Sequence, residues 1–232
     1  MSKTKESSLK KYKTIIESSD DSINTKNFKR LLNLYLENLT KFTEKTVPEF
    51  EVRFATKGNK KITKIEFYNV IKNLIQNGFK LENENYSLKI IPDKSVSNIR
   101  TELIGFPNIQ NYCKYNSITS IEDITNVNYI EKEYFRNDER TFYPIDFDDY
   151  NFRISYNIEN VYFKNDKKVE DLQDMWNTTK KVFRYIKRFE YKHPNFPLNI
   201  HLSIVKTSRA VAGKMISEFN IKESEGFNSL EN

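Results

Sequence analysis

In the stretch VPEFEVRFATKG, Val47 to Gly58, the residues Glu49, Glu51 and Arg53 stand two apart, with Phe50, Val52 and Phe54 between them. A period of two predicts a β-strand, and a strand turns successive side chains to opposite faces. Both carboxylates and the guanidinium therefore share one face. Two carboxylates at i and i+2 supply hard oxygen ligands suited to Mg²⁺ or Mn²⁺. A metal held there bridges to a phosphate, polarises the phosphorus and helps to position a water. The same pair can equally form salt bridges with neighbouring Arg or Lys side chains.

Cations recur in the middle of other alternating stretches: Lys89 in NYSLKIIP, Arg100 in SNIRTELIG, Arg153 in NFRISY, and Arg184 and Arg188 in VFRYIKRFEY. Guanidinium groups present forked donors that match phosphate oxygens. Lys187 alternates away from Arg184 and belongs to the other face. On each stretch the face opposite the cations is apolar, as Leu88, Ile90, Ile99, Leu103, Phe152, Ile154 and Tyr156 illustrate. Two architectures satisfy this pattern. One is a closed sheet with helices outside and a polar lumen; the other is an open sheet with one wet face.

The helices that must cover the apolar faces are legible. Asn27 to Phe42 places Phe28, Leu31, Leu32, Tyr35, Leu39 and Phe42 on one stripe. TKIEFYNVIKNLIQNG opens with Thr63 and Glu66 in a capping box and stops at Gly78. Its apolar face takes Ile65 or Phe67, then Val70, Ile71, Leu74 and Ile75. PNIQNYCKYN predicts a short helix opened by Pro107, and KVEDLQDMWNTTKK another. Further strands are expected in NYIEKEYF and LNIHLSIVKTS, with a turn at KHPNFP. Residues 1–24 are rich in Ser, Lys and Asp and are expected to form a loosely ordered arm ahead of one domain, 25–232.

Composition narrows the classes. The chain has 232 residues, 38% hydrophobic and 14% aromatic, enough to bury a core. A net charge of +6 favours polyanionic partners. Cys113 is the single cysteine, so there is no internal disulfide framework, and a reducing compartment fits. One Cys and two His cannot make a zinc ligand set. Five glycines and no Gly-rich loop exclude a P-loop or a dinucleotide fold. No secretory signal and no membrane span are expected, because the N-terminus lacks an apolar segment and no apolar run approaches about 18 residues.

EFEVRF, IRTELIG, NIQNYCK, NFRISY, FRYIKRF, LSIVKTS and ESEGFNS, in that order, resemble the RNA 5′-triphosphatase domain of mRNA capping enzymes from large DNA viruses of the mimivirus and klosneuvirus kind. That domain is a triphosphate tunnel metalloenzyme. The resemblance runs from Glu49 to the C-terminus. It implies an α+β fold: an antiparallel eight-stranded β-barrel, the triphosphate tunnel, with flanking helices. The implied reaction is metal-dependent removal of the γ-phosphate of 5′-triphosphate RNA, the first step of cap formation. Glu49 and Glu51 resemble the first-strand metal ligands for Mg²⁺ or Mn²⁺, and Arg53 their strand companion. Arg153, Arg184 and Arg188 resemble the residues that hold the triphosphate, with Lys206 a fourth and Lys89 and Arg100 further candidates.

Two departures stand out. The family closes its tunnel with a second acidic strand of the form ExExE, whereas this sequence reaches GFNSLEN where that strand would begin. The barrel is therefore expected to lack its last acidic strand, as in a fragment of a longer enzyme or a truncated gene. His201 stands where relatives carry an acidic residue. The implied partners are 5′-triphosphate RNA and the guanylyltransferase and methyltransferase domains of the same capping enzyme. The implied location is the host cytoplasm, in viral factories, or the virion. The alternatives are a non-catalytic RNA- or partner-binding module on the same scaffold, and a nucleoside triphosphate or polyphosphate hydrolase.

Overall fold

The computed structural model describes residues 23–54, 62–118, 126–137, 140–147 and 151–210. Most of the expected N-terminal arm, 1–22, and the ESEGFNS stretch lie outside them. The elements in chain order are α1 (Ile23–Asn38), β1 (Thr46–Phe54), α2 (Lys64–Gln76), β2 (Lys80–Pro92), β3 (Ile99–Ile104) and α3 (Phe106–Tyr115). They continue with β4 (Val127–Tyr134), β5 (Ile145–Phe147), β6 (Phe152–Tyr162), α4 (Lys167–Asp174), β7 (Lys181–His193) and β8 (Phe196–Ala210). The eight strands form an antiparallel sheet in the order β1-β6-β4-β3-β2-β7-β8, with β5 on β6. The α+β class and the eight-stranded antiparallel sheet match the sequence reading. Closure into a barrel is not seen: among the described residues no ladder joins β1 to β8, and a barrel needs two neighbours for every strand.

The chain contacts divide into two compact units, each made of two stretches. One holds the residues up to Lys60 with Lys132–Val161; the other holds Lys61–Glu131 with the residues from Tyr162 onward.

In the first unit, α1 covers the apolar face of β1 and β6. Leu31, Phe135, Phe142, Ile154 and Tyr156 form its core, with Phe28, Tyr35 and Phe50 packed against them. The Tyr35 ring lies 5.3 Å from that of Phe50 and 5.5 Å from that of Tyr156. Of the stripe read from sequence, Phe28, Leu31 and Tyr35 pack into this core; Leu34 joins them there, and Leu32 is not part of it. The helix ends at Asn38, earlier than expected, so Leu39 lies beyond it and is exposed.

In the second unit, Leu88, Ile90, Ile99, Leu103, Tyr129, Phe183 and Tyr185 meet Ile109 and Tyr112 of α3 and Val169 and Leu172 of α4. Burial pushes the Cys113 thiol of α3 up to about 11, which suits a packed residue rather than a nucleophile. A separate cluster joins Phe67, Ile71 and Leu74 of α2 to Phe189, Tyr191 and Ile204. The inward face of α2 is thus set by Phe67, and Ile65, Val70 and Ile75 are exposed. The capping box is present: the Glu66 amide donates to Thr63 Oγ1 at 3.2 Å, and the Thr63 amide donates to Glu66 Oε2 at 2.9 Å. Gly78 ends the helix at φ +84°, and a Cβ there would lie 2.9 Å from His193 Nε2. Both the backbone conformation and the close approach require glycine.

Glu131 on β4 belongs to the second unit's apolar side and is buried. The Tyr162 hydroxyl donates to its Oε2 at 2.6 Å, and Lys168 Nζ donates at 3.2 Å. The Tyr162 hydrogen bond holds the Glu131 carboxyl below its usual pKa, with Lys168 adding to it against the opposing effect of burial. A carboxyl lowered in the folded state stabilises the fold above its unfolded pKa of about 4.3 and loses that stabilisation as pH falls through the folded value. Urea midpoints measured from pH 7 down to pH 3 are expected to drop below about pH 4. Glu131→Gln, already weakened at neutral pH, is expected to show a shallower drop over the same range.

Candidate functional site

β1 pairs with β6 in the register Glu49↔Asn157, Glu51↔Ser155 and Arg53↔Arg153. Antiparallel partners share a face, so these six residues stand together, opposite the Phe50, Val52 and Phe54 side that carries α1. Glu49 and Glu51 do not face open solvent. The ammonium of Lys132, at the end of β4, donates to Glu49 Oε2 and lies 3.4 Å from Glu51 Oε2 and 4.0 Å from Glu159 Oε1. Carboxylates from β1 and β6 thus converge on one cationic centre whose side chain is only 20% exposed.

Arg53 Nη2 lies 2.8 Å from Glu51 Oε2. Burial works to raise the Glu51 carboxyl, but the Arg53 hydrogen bond and the Lys132 charge outweigh it and hold its pKa below the ordinary value. Glu51 is therefore ionised at neutral pH. Arg153 forms a two-pronged pair with Asp146 of β5: Nε donates to Oδ1 at 2.7 Å and Nη2 to Oδ2 at 3.0 Å. Its fork is engaged by a carboxylate rather than open to a phosphate.

The second unit collects the other cations. Lys89 is flanked by Glu102 on β3 and Arg184 on β7. Its ammonium lies 3.4 Å from Glu102 Oε1. Burial lowers the Lys89 pKa; the Arg100 and Arg188 charges push the same way, and Glu102 opposes them. Lys89, Arg100 and Arg188 thus form one positive group with Glu102 beside it. Arg188 Nε is buried and has no hydrogen-bond partner among the described residues. A buried, orphaned guanidinium donor costs free energy unless an acceptor reaches it, and a phosphate oxygen is such an acceptor. Arg184 is exposed on the same face.

One expectation changes. Lys206 pairs with Tyr185, not Arg184, so it stands on the face away from Arg184 and Arg188. Its place follows from strand parity, which it shares with Ile200, Leu202 and Ile204. His201 does share the Arg188 face, and its Nε2 lies 3.8 Å from Glu190 Oε1. Lys187 is on the opposite side, as its parity predicted, beside Glu84 and over the rings of Tyr86 and Phe189.

Sequence reasoning missed Lys132, Glu159 and Asp146. In IEKEY the charged residues Glu131, Lys132 and Glu133 are consecutive, so alternation does not reveal which one faces the carboxylates. Asp146 lies on a three-residue strand, too short to show a period.

Among the described residues no three His, Cys, Asp or Glu side chains close on a common metal position. The donor chemistry nevertheless fits a hard cation: Glu49, Glu51 and Glu159 direct oxygens toward a single positive charge, supplied here by Lys132.

The fold is similar to that of the Mimivirus capping enzyme triphosphatase. That solved structure superposes with a TM-score of 0.51 at 20% sequence identity, over 76% of this chain and 78% of the other. At that identity the likeness is one of fold. No family model and no curated protein matches the chain by sequence. Among the described residues no helix is long and apolar enough to cross a membrane.

Proposed function

We propose that this chain is a metal-dependent RNA 5′-triphosphatase that releases the γ-phosphate of 5′-triphosphate RNA. The observation that carries this reading is the convergence of Glu49, Glu51 and Glu159 on one cationic centre at the face of β1 and β6. Its fold, similar to that of a capping enzyme triphosphatase, supports it. In this reading Glu49 and Glu51, aided by Glu159, hold Mg²⁺ or Mn²⁺. The bound ion would offset charge on phosphate oxygens and acidify a water. Arg188, Arg184, Lys89 and Arg100 of the second unit offer charged donors of the kind that suits phosphate oxygens. Arg53 keeps Glu51 ionised and oriented. In the reaction a water oxygen bonds to the γ-phosphorus as its bond to the β–γ bridging oxygen breaks. The products are orthophosphate, diphosphate-ended RNA and a proton.

A second reading is a non-catalytic RNA- or partner-binding module; the ammonium of Lys132 among the carboxylates favours it. One assay separates the two. The chain is incubated with triphosphate-ended RNA, ATP or tripolyphosphate, each with Mn²⁺ or Mg²⁺, and released phosphate is measured. Release from RNA that EDTA abolishes supports the proposal. Release from ATP or tripolyphosphate but not RNA replaces it with a nucleotide or polyphosphate hydrolase. No release from any of them leaves the binding module.

A further inference from the structure

Metal chemistry at Glu49 and Glu51 does not explain the contact that both make with Lys132. Its ammonium reaches Glu49 and Glu51 of β1 and Glu159 of β6, and all four side chains are at most about one-third exposed. Three carboxylates held this close repel one another, and a shared ammonium relieves that repulsion. The same oxygens are those a divalent cation would take. A divalent cation and an ammonium held by one set of carboxylates repel in turn, so the two compete for one place.

We infer that Lys132 is a built-in counter-ion that a divalent cation displaces, so that metal binding is an exchange and Lys132 sets its affinity. The inference rests on the metal-dependent reading given above. Lysine suits the part: its charge sits on a flexible four-carbon stem, so the ammonium can leave the carboxylates without backbone movement. Once displaced it stays tethered to β4, next to the metal, with its donors released for an anion the metal carries. The device offsets part of the carboxylate cluster's charge and keeps it ordered in the metal-free chain, at the cost of weaker metal binding. Arg53 sits to one side of the cluster, its Nη2 2.8 Å from Glu51 Oε2.

The test is Mn²⁺ affinity, measured by calorimetry on the full chain for wild type, Lys132→Met, Lys132→Gln and Lys132→Arg. Both neutral variants are expected to bind Mn²⁺ about tenfold more tightly or better, and Lys132→Arg about as wild type. Thermal melts supply the second readout. Without metal the neutral variants are expected to melt below wild type, and Mn²⁺ is expected to raise their midpoint by more than it raises that of wild type. A neutral variant that is unfolded without metal and folds on adding Mn²⁺ supports the exchange equally. Unchanged or weaker Mn²⁺ affinity in both neutral variants, with wild type binding, overturns the exchange and leaves the metal-dependent reading standing. No Mn²⁺ binding by any of the four proteins overturns both.

Discussion

Glu51→Gln is expected to lower phosphate release from triphosphate-ended RNA by about 100-fold or more, with the fold retained. Glutamine keeps the shape of glutamate and its capacity to accept from Arg53, so β1 and its register with β6 have no reason to change. What it removes is the negative charge that, in the proposed reaction, would hold a hard cation. Glu49→Gln is expected to behave alike, since Glu49 shares the Lys132 contact. Rates at saturating RNA, with circular dichroism to confirm folding, check this. Full activity in either variant would remove these carboxylates from the reaction.

The largest expected effect on stability is at Phe183. It is 1% exposed on β7, paired with Ile90 of β2, and its ring lies 6.3 Å from that of Tyr112 on α3. Phe183→Ala deletes a ring from the centre of the larger core and leaves a cavity that the flanking strands cannot close. A loss of about 3–5 kcal/mol is expected, a large share of the roughly 5–15 kcal/mol that holds a typical domain folded. Phe183→Leu keeps a branched apolar side chain and is expected to cost roughly half as much or less. Urea unfolding gives both values. A loss below about 1 kcal/mol for the alanine variant would mean that the site collapses or that the core is centred elsewhere.

The two faces of β1 were readable because Glu49, Phe50, Glu51, Val52, Arg53 and Phe54 alternate without a break. A strand has a period of two, so the parity of Glu49 and Glu51 fixed their common face. The same arithmetic separated Arg184 from Lys187 and placed Arg100 with Glu102. It also applied to Lys206, whose parity is that of Ile200, Leu202 and Ile204; there the family resemblance, and not the alternation, had grouped it with the arginines. In α2 a helix with apolar residues on several sides left the inward face undecided between Ile65 and Phe67. Only packing against Phe189 and Tyr191 selects Phe67. What alternation does not contain is which strand lies beside which. Lys132 meets Glu49 and Glu51 through that neighbour order, and the contact joins residues more than eighty positions apart. Asp146 reaches Arg153 through a ladder of only three residue pairs.

The most direct test of the account is Mn²⁺ binding followed by electron paramagnetic resonance, titrating the wild-type chain and the Glu49→Gln/Glu51→Gln double variant side by side. The account predicts that wild type removes free Mn²⁺ signal at one site per chain and that the double variant does not. Equal binding by the two proteins, or none by wild type, would contradict it.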